Sequence, residues 1–537
     1  MPKRKAVPLL KDLCLGNVAG HMQSVWVKDY SENYLDDYQF RYIMGPFSEL
    51  AGFLVQELLK LLGESRRLTR AALHLLLVPH LTELSLRACP GLVSNAITQL
   101  ITVRCKNLSS LDLHGCSRVP SAALVDLLEG LPRLTKLGLA ETQSNTQVLS
   151  AVGSCCRRLQ ELDVSRCKKV SPSSLLHLTY DPTQNALCCP VLRVLWANGM
   201  EPKAQCQELV MALAFVLLAL PNLEFLANSG VMEAVCLIHT QRFNGAKAAP
   251  GFPSLEELAR RRAAARPDSR DSWLRLPLKK VEEVDEPFLA TFCAVCPEVV
   301  EAAVSLGDGP CTGWGNLSCS RLSQLTLHCV GHRGLEDVLL VVEGLGGRLQ
   351  SLSLDGFSYH DEFSFCTLLN CCPNLRTFSA HLAPPPENGG GGGAEPSDWD
   401  LELLTSSFPQ LRHFSLVLSG SGSPLPSQHS TVLQVSLASM LTRSPRLETL
   451  HLLCLPFPLD AVFQRALQPP STALRCLREL SLAESQVSSH TVHLLLASDN
   501  RLGSLNLSRC RDVHRRDYDR FLRTVSKEQL ELDIIWQ

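Results

Sequence analysis

One pattern dominates this chain and leaves little freedom of fold: Leu-x-x-Leu-x-Leu, recurring at intervals of 25–36 residues. Leu81, Leu84 and Leu86 form the first clear copy, with Cys89 after it, and Leu108, Leu111, Leu113 and Cys116 follow 27 residues later. Leu134, Leu137 and Leu139 come next, then Leu159, Leu162, Val164 and Cys167, with looser copies at Leu192/Leu195 and Leu223/Leu226. Beyond a disturbed middle the series resumes at Leu322, Leu349, Leu375, Leu411, Leu447, Leu477 and Leu502. The last two leucines of each copy stand two residues apart, on one face of a short strand. Between copies the apolar residues fall at helical spacing, as in Ala123, Leu124, Leu127 and Leu128. One strand and one helix cannot bury their own apolar face, so the units must stack and share a core. The spacing therefore predicts an α/β leucine-rich-repeat solenoid, curved, with parallel strands on the concave face and helices outside.

Length alone, 537 residues, would suggest several domains, but a stacked repeat removes that inference. The divisions expected are a helical segment over 1–75, a first repeat block over 76–230, irregular repeats over 231–318 and a second block over 319–537. The irregular stretch holds weak signals at Leu255/Leu258 and Val299/Val304. Its charged run, Arg260 to Lys280, reads as a long solvated loop or a docking segment. Residues 384–400, with Gly389 to Gly393 consecutive after three prolines, read as a flexible loop within one repeat.

The 22 cysteines acquire a plain explanation from the repeat. Cys89, Cys116, Cys167 and Cys510 fall where the chain turns out of a strand, which suits a small buried side chain. The expectation is free thiols in a reducing compartment. Cys293 and Cys296 form a C-x-x-C pair with no second pair at zinc spacing, so no metal site is expected there. This pattern resembles the cysteine-containing class of leucine-rich repeats common in ubiquitin-ligase receptors.

The residues before the repeats carry two further elements. In PLLKDLCLGNVAGHM, Leu10, Cys14 and Val18 recur every four residues beside Leu9, Leu13 and Met22. Gly16 and Gly20 each cost a helix about 1 kcal/mol relative to Ala, so a partner must support it. A cap over the end of the solenoid is the default role of such a segment. Leu-x-x-x-Cys-x-x-x-aliphatic is also the signature of the BC box, spanning about residues 8–22 here. That resemblance implies docking to Elongin B/C, with Leu10 as pocket anchor, Cys14 allowing close approach and Val18 as third contact. Leu9 stands where that family favours Ser, Thr, Pro or Ala. The second element, about 43–61, starts at Ile43 and is similar to a Cullin box. Pro46 suits the first turn of a helix that would carry Phe47, Leu50, Leu54, Leu58 and Leu61 on one face. Gly45 replaces the usual aliphatic residue and Leu50 is one position late. The resemblance implies Cullin binding through Pro46, Phe47 and Leu50, with the Cullin-two type favoured. BC box, Cullin box and repeats in this order resemble the von Hippel-Lindau-box receptors of the zyg and zer type.

Nothing in the chain reads as catalytic machinery: there is no phosphate-binding glycine loop, no H-E-x-x-H and no G-x-S-x-G. No cofactor is expected. A net charge of −2 gives no electrostatic reason for a nucleic-acid partner. No run of eighteen apolar residues offers a membrane span, and a cytoplasmic or nuclear location, or both, is expected. Specificity should lie at the x positions of the strands, among them Arg87, Asp112, His114 and Asp163, with a possible His114–Asp163 pairing. Trp196 is either an interface anchor or a packed residue. Mixed charges there predict a protein or peptide ligand. The function expected is the substrate-recognition subunit of a Cullin–RING ubiquitin ligase. The alternatives are an F-box-type receptor binding Skp and a leucine-rich-repeat scaffold without a ligase link.

Overall fold

The computed structural model describes residues 2, 7–29, 45–200, 206–243, 251–264, 274–308, 320–384, 403–419, 425–468 and 473–537. Ile43, most of the 384–400 loop and part of the charged run lie outside them. The chain forms two compact units, one spanning Pro8–Val281 with Thr291–Val299, the other Glu282–Ala290 with Val300–Gln537.

Among the described residues the first unit has one six-stranded sheet, β1 (Glu83–Ser85), β2 (Ser110–Asp112), β3 (Lys136–Gly138), β4 (Glu161–Asp163), β5 (Val194–Trp196) and β6 (Phe225–Ala227), paired in sequence order, beside a small antiparallel hairpin of Tyr180–Asp181 with Ala186–Leu187. Every pair in the six-stranded sheet is parallel and in repeat register, Leu84 beside Leu111, Leu111 beside Leu137, Leu137 beside Leu162 and Leu162 beside Leu195. A parallel neighbour can be reached only by a crossover, and here each crossover is the helix of the same repeat. All three leucines of the copies at 81, 108 and 134 are almost fully buried, at 3% exposure or less. The residues between them are exposed or half-buried. Each repeat thus turns one apolar side inward and offers its alternate residues to solvent. This is a leucine-rich-repeat solenoid.

The second unit carries the larger sheet, ten strands among the described residues: β7 (Lys280–Asp285), β8 (Glu301–Leu306), β9 (Gln324–Cys329), β10 (Ser351–Ser358), β11 (Thr377–Ala383), β12 (His413–Leu418), β13 (Thr449–Leu453), β14 (Glu479–Ser481), β15 (Ser504–Asn506) and β16 (Asp533–Ile535), again in sequence order. The sequence pattern anticipates β9 to β15 and, through Val299 and Val304, β8. It misses β7 and β16. A buried cation ties the early repeats of this unit: Arg333, 5% exposed, donates to Gly307 O at 2.5 Å and to Glu286 Oε2 at 3.2 Å.

Two expectations of the middle segment need correction. Leu255 and Leu258 belong to a helix, Leu255–Ala264, and not to a strand. Its first turn buries Leu255, Leu258 and Ala259, and Glu257 pairs with Arg261 one turn on. Arg262, in the run read as loop, donates to the carbonyls of Leu217, Leu218 and Leu220 at 2.8, 3.3 and 3.3 Å. It satisfies the open end of helix Cys206–Ala219, a role no linear pattern reveals.

The N-terminal segment is helical, as the sequence suggests, but divided differently. Helix α1 is Leu10–Gly20, followed by a wide turn over Met22–Val27. Pro46 opens only a short 3-10 turn, Pro46–Glu49. Leu50 and Ala51 are extended, at ψ 138° each, before helix α2, Gly52–Glu64, begins. His80 Nε2 meets the Leu50 carbonyl at 2.6 Å and holds it out of the helix. Gly52 allows the approach, since a Cβ there would lie 3.0 Å from the His80 carbonyl oxygen. The single apolar face expected from Phe47 to Leu61 is therefore absent. α2 instead buries Val55, Leu58, Leu59 and Leu62, while Leu61 is exposed. Helix α3, Arg70–Leu76, leads into β1.

Candidate functional site

α1 is held by few contacts. Leu15 is its one buried residue, and Lys11 Nζ reaches Glu57 Oε1 on α2 at 2.8 Å. The side opposite Leu15 is apolar and faces solvent. Leu9 is 66% exposed, Leu10 75% and Leu13 54%, and Cys14 is also exposed. Val18, the third position of the BC-box pattern, is half-buried at the edge of that surface. Nothing lies within 4 Å of where a Cβ would stand at Gly16 or Gly20. Packing within the chain thus has no need of either glycine. α1 thus combines two glycines with an exposed apolar side, Leu10 and Leu13 with Leu9 just before it.

The residues of the second element part company. Pro46 is exposed and Leu50 half-buried, but Phe47 is 5% exposed and packs against Trp26, ring centroids 5.4 Å apart. Phe47 is a core residue of the N-terminal segment, because the 3-10 turn rotates it inward where a continuous helix would have exposed it.

A groove of about 810 Å³ opens between α2 and the exposed face of β1 and β2. Phe53, Lys60 and Glu64 line its helical wall, and Glu83, Arg87 and Asp112 its strand side. The structure thus unites Arg87 and Asp112 but leaves His114, Asp163 and Trp196 outside. Asp112 and Asp163 occupy one row of the sheet with Gly138 between them. Each closes its own turn, Asp112 Oδ1 accepting from His114 N at 3.0 Å and Asp163 Oδ1 from Ser165 N at 2.9 Å. Asp112 Oδ2 also accepts from Ser85 Oγ at 3.0 Å. The possible His114–Asp163 pair is not formed. His114 lies beyond the end of β2, and its Nε2 is 4.0 Å from Glu141, which Arg166 also approaches at 3.3 Å. Trp196 is half-buried and stands edge-on to Phe225 at 6.0 Å. Its ring is partly packed and partly offered.

Sequence reasoning missed Gly138. A Cβ there would stand 2.7 Å from Asp112 Oδ1, so the glycine makes room for the carboxylate that forms the turn. It missed the second ladder as well. Thr326, Ser353, Ser379 and Ser415 align across four strands, and beside them runs the row His328, Asp355, His381. His381 Nδ1 lies 2.9 Å from Asp355 Oδ1 and His328 Nδ1 3.5 Å from Oδ2. The hydrogen bond from His381, aided by that from His328, holds the Asp355 carboxyl below the ordinary carboxylate range. The signal was available, because the Thr326 row fills the position of Asp112 in its copies and the His328 row fills that of His114.

Of the turn cysteines, Cys116, Cys167 and Cys510 are buried as expected and Cys89 is half-buried. Cys167 Sγ donates to Leu139 O at 3.0 Å and Cys510 Sγ to Leu482 O at 3.1 Å. Burial pushes the Cys116 thiol up to about 12 and Cys510 up to about 11. Cys293 departs from the expectation of free thiols: it is disulfide-bonded. Its neighbour in the C-x-x-C pair, Cys296, is a buried free thiol raised by burial. Among the described residues no three His, Cys, Asp or Glu side chains gather as a cation site. No helix among them is long and apolar enough to cross a membrane.

No family model matches the chain. Among solved structures it is similar to a chain of the Rad7–Elc1 complex of yeast, at 13% identity over 99% of this chain and 93% of that one, with a TM-score of 0.38. It is similar also to the leucine-rich-repeat protein LegL7 of Legionella pneumophila, at 15% identity, 56% and 82% coverage and TM-score 0.28. A third likeness is to the leucine-rich-repeat ectodomain of the Arabidopsis receptor kinase HAESA, crystallised with an IDA peptide hormone, at 12% identity, 78% and 61% coverage and TM-score 0.27. At such scores the likeness carries no argument. The solenoid assignment rests on the two parallel ladders themselves.

Proposed function

We propose that this protein is a non-catalytic substrate receptor of a Cullin–RING ubiquitin ligase. In this reading α1 recruits Elongin B/C, and the exposed, concave side of the repeats holds a protein or peptide substrate. Such a receptor performs no bond chemistry and needs no cofactor. It raises the effective concentration of a target lysine near the charged conjugating enzyme. A cytoplasmic or nuclear place of work goes with that role.

The observation that carries the proposal is the outward apolar face of α1. A cap would turn its leucines inward, and α2 already does so with Val55, Leu58, Leu59 and Leu62. α1 leaves Leu10, Leu13 and Cys14 in solvent with open space above Gly16 and Gly20. The spacing Leu10, Cys14, Val18 is that of the BC box, and its first two members are free to enter a partner. A Cullin of the two type would follow on the same side. With Phe47 in the core, its contacts would fall to Pro46 and Leu50.

The test is co-purification of the tagged protein with Elongin B and C, beside a Leu10→Ala/Cys14→Phe double variant. The wild type should bring down both Elongins and the double variant neither, with unchanged melting behaviour because both side chains are exposed. Absence of Elongins from the folded wild type, or equal recovery by the variant, removes the reading.

A further inference from the structure

The last helix, Arg515–Lys527, carries five cations and two carboxylates in a chain whose net charge is −2. Four of the cations, Arg516, Arg520, Arg523 and Lys527, are spaced i, i+4, i+7, i+11, so they form one row along one side, and all are exposed. Most of the row does not serve the helix itself, although Lys527 stands in the last turn, where the backbone dipole favours a cation. Consecutive members are like charges at three- and four-residue spacing, which destabilises a helix. Arg515 and Arg516 stand in the first turn, where the backbone dipole disfavours cations. Arg520 approaches Asp517 at 3.9 Å, but Asp517 is committed to the cap, its Oδ2 accepting from His514 N at 3.2 Å. Among the described residues no carboxylate lies within ion-pair distance of Arg516, Arg523 or Lys527. The opposite side is fully engaged: Phe521 and Val525 are buried, and Tyr518 stacks on Trp536 at 5.2 Å.

We infer that this row is a docking surface for an acidic helix of a partner protein. The row is about 16 Å long with a mean step of about 5.5 Å, the step of one face of another α-helix. Side chains on one face of an extended strand repeat at roughly 6.6–6.8 Å and would drift out of register. A membrane surface suits it less well, because an interfacial helix inserts its apolar face and here Phe521 and Val525 are in the core. Nucleic acid suits it less well too, since the cations run in single file beside Asp512 and Asp519. This inference stands apart from the Elongin reading and does not depend on it.

The experiment uses the full chain and a fluorescent helical peptide with glutamates at i, i+4, i+7 and i+11. A second peptide has the same composition with its glutamates spread around the helix. The row peptide should bind more tightly than the permuted one at low salt and weaken as salt rises. The variant R516Q/R520Q/R523Q should lose about tenfold or more in affinity, while its melting midpoint stays equal or rises because the repulsion is relieved. Equal binding by the permuted peptide, unchanged binding by the variant, or a lowered midpoint overturns the inference. So does tighter binding of the wild type to a DNA duplex or to phosphatidylserine vesicles than to the row peptide.

Discussion

Leu10 and Leu15 lie five residues apart on one helix, yet their truncation should have opposite consequences. Leu10 is 75% exposed and Leu15 6% exposed. Burying a leucine fully stabilises by about 1.5–3 kcal/mol, so the quarter of Leu10 that is covered contributes under about 0.8 kcal/mol. Leu15→Ala removes the contact that seats α1 on α2 and should cost about 2 kcal/mol or more. The measure of seating is amide hydrogen exchange over α1, which should be unchanged in Leu10→Ala and accelerated roughly 30-fold in Leu15→Ala. Calorimetric titration with Elongin B/C reads the other side. There Leu10→Ala should lose about 2 kcal/mol, a factor of roughly 30, as an anchor withdrawn from its pocket does. If Leu10→Ala frees α1 as Leu15→Ala does, or retains Elongin affinity within about twofold, the division of this helix into an inner and an outer face is wrong.

Two further predictions bear on the repeats. Gly138→Val places side-chain atoms on the Asp112 carboxylate and should destabilise the first unit by about 1–3 kcal/mol, read as a lower denaturant midpoint; an unchanged midpoint would refute the steric argument. Asp355 has its folded pKa depressed by His381 and His328, so its contribution to stability is present above the ordinary carboxylate pKa and lost as pH falls through the lower folded value. Asp355→Asn should therefore reduce the melting temperature at neutral pH and match the wild type in strong acid, whereas a constant offset at all pH values would count against the hydrogen-bonded row.

The legible part of this protein is the part whose information is local. Three buried leucines per copy announce each strand, and the apolar spacing between copies announces each helix. Strand β8 was readable from Val299 and Val304 alone. Leu530 and Leu532 before strand β16 and Ile534 within it are buried, a weaker image of the same alternation. The turn cysteines were partly legible: Cys167 and Cys510 bond carbonyls of the preceding repeat, as a small buried side chain at that turn can. The helix at Leu255 was misread because two leucines three residues apart fit a helix as well as a strand copy, and only burial decides.

What the sequence by itself determined, then, is the repeat and its consequence: parallel strands, helical crossovers and one shared core, because hydrophobic periodicity is a property of the chain. It also determined which residues of α1 share a side. Tertiary structure alone decided which side faces water. Leu15 faces inward and Leu10 outward because burial of Leu15 seats the helix, and the exposed Lys11–Glu57 pair to α2 only accompanies that seating. Phe47 is in the core because the His80 ring holds the Leu50 carbonyl out of a helix thirty residues away in sequence. His114 does not pair with Asp163, and Asp112 meets Gly138, because neighbours in the ladder are set by register. Each of these is a contact between residues a repeat or more apart, and no local pattern encodes it.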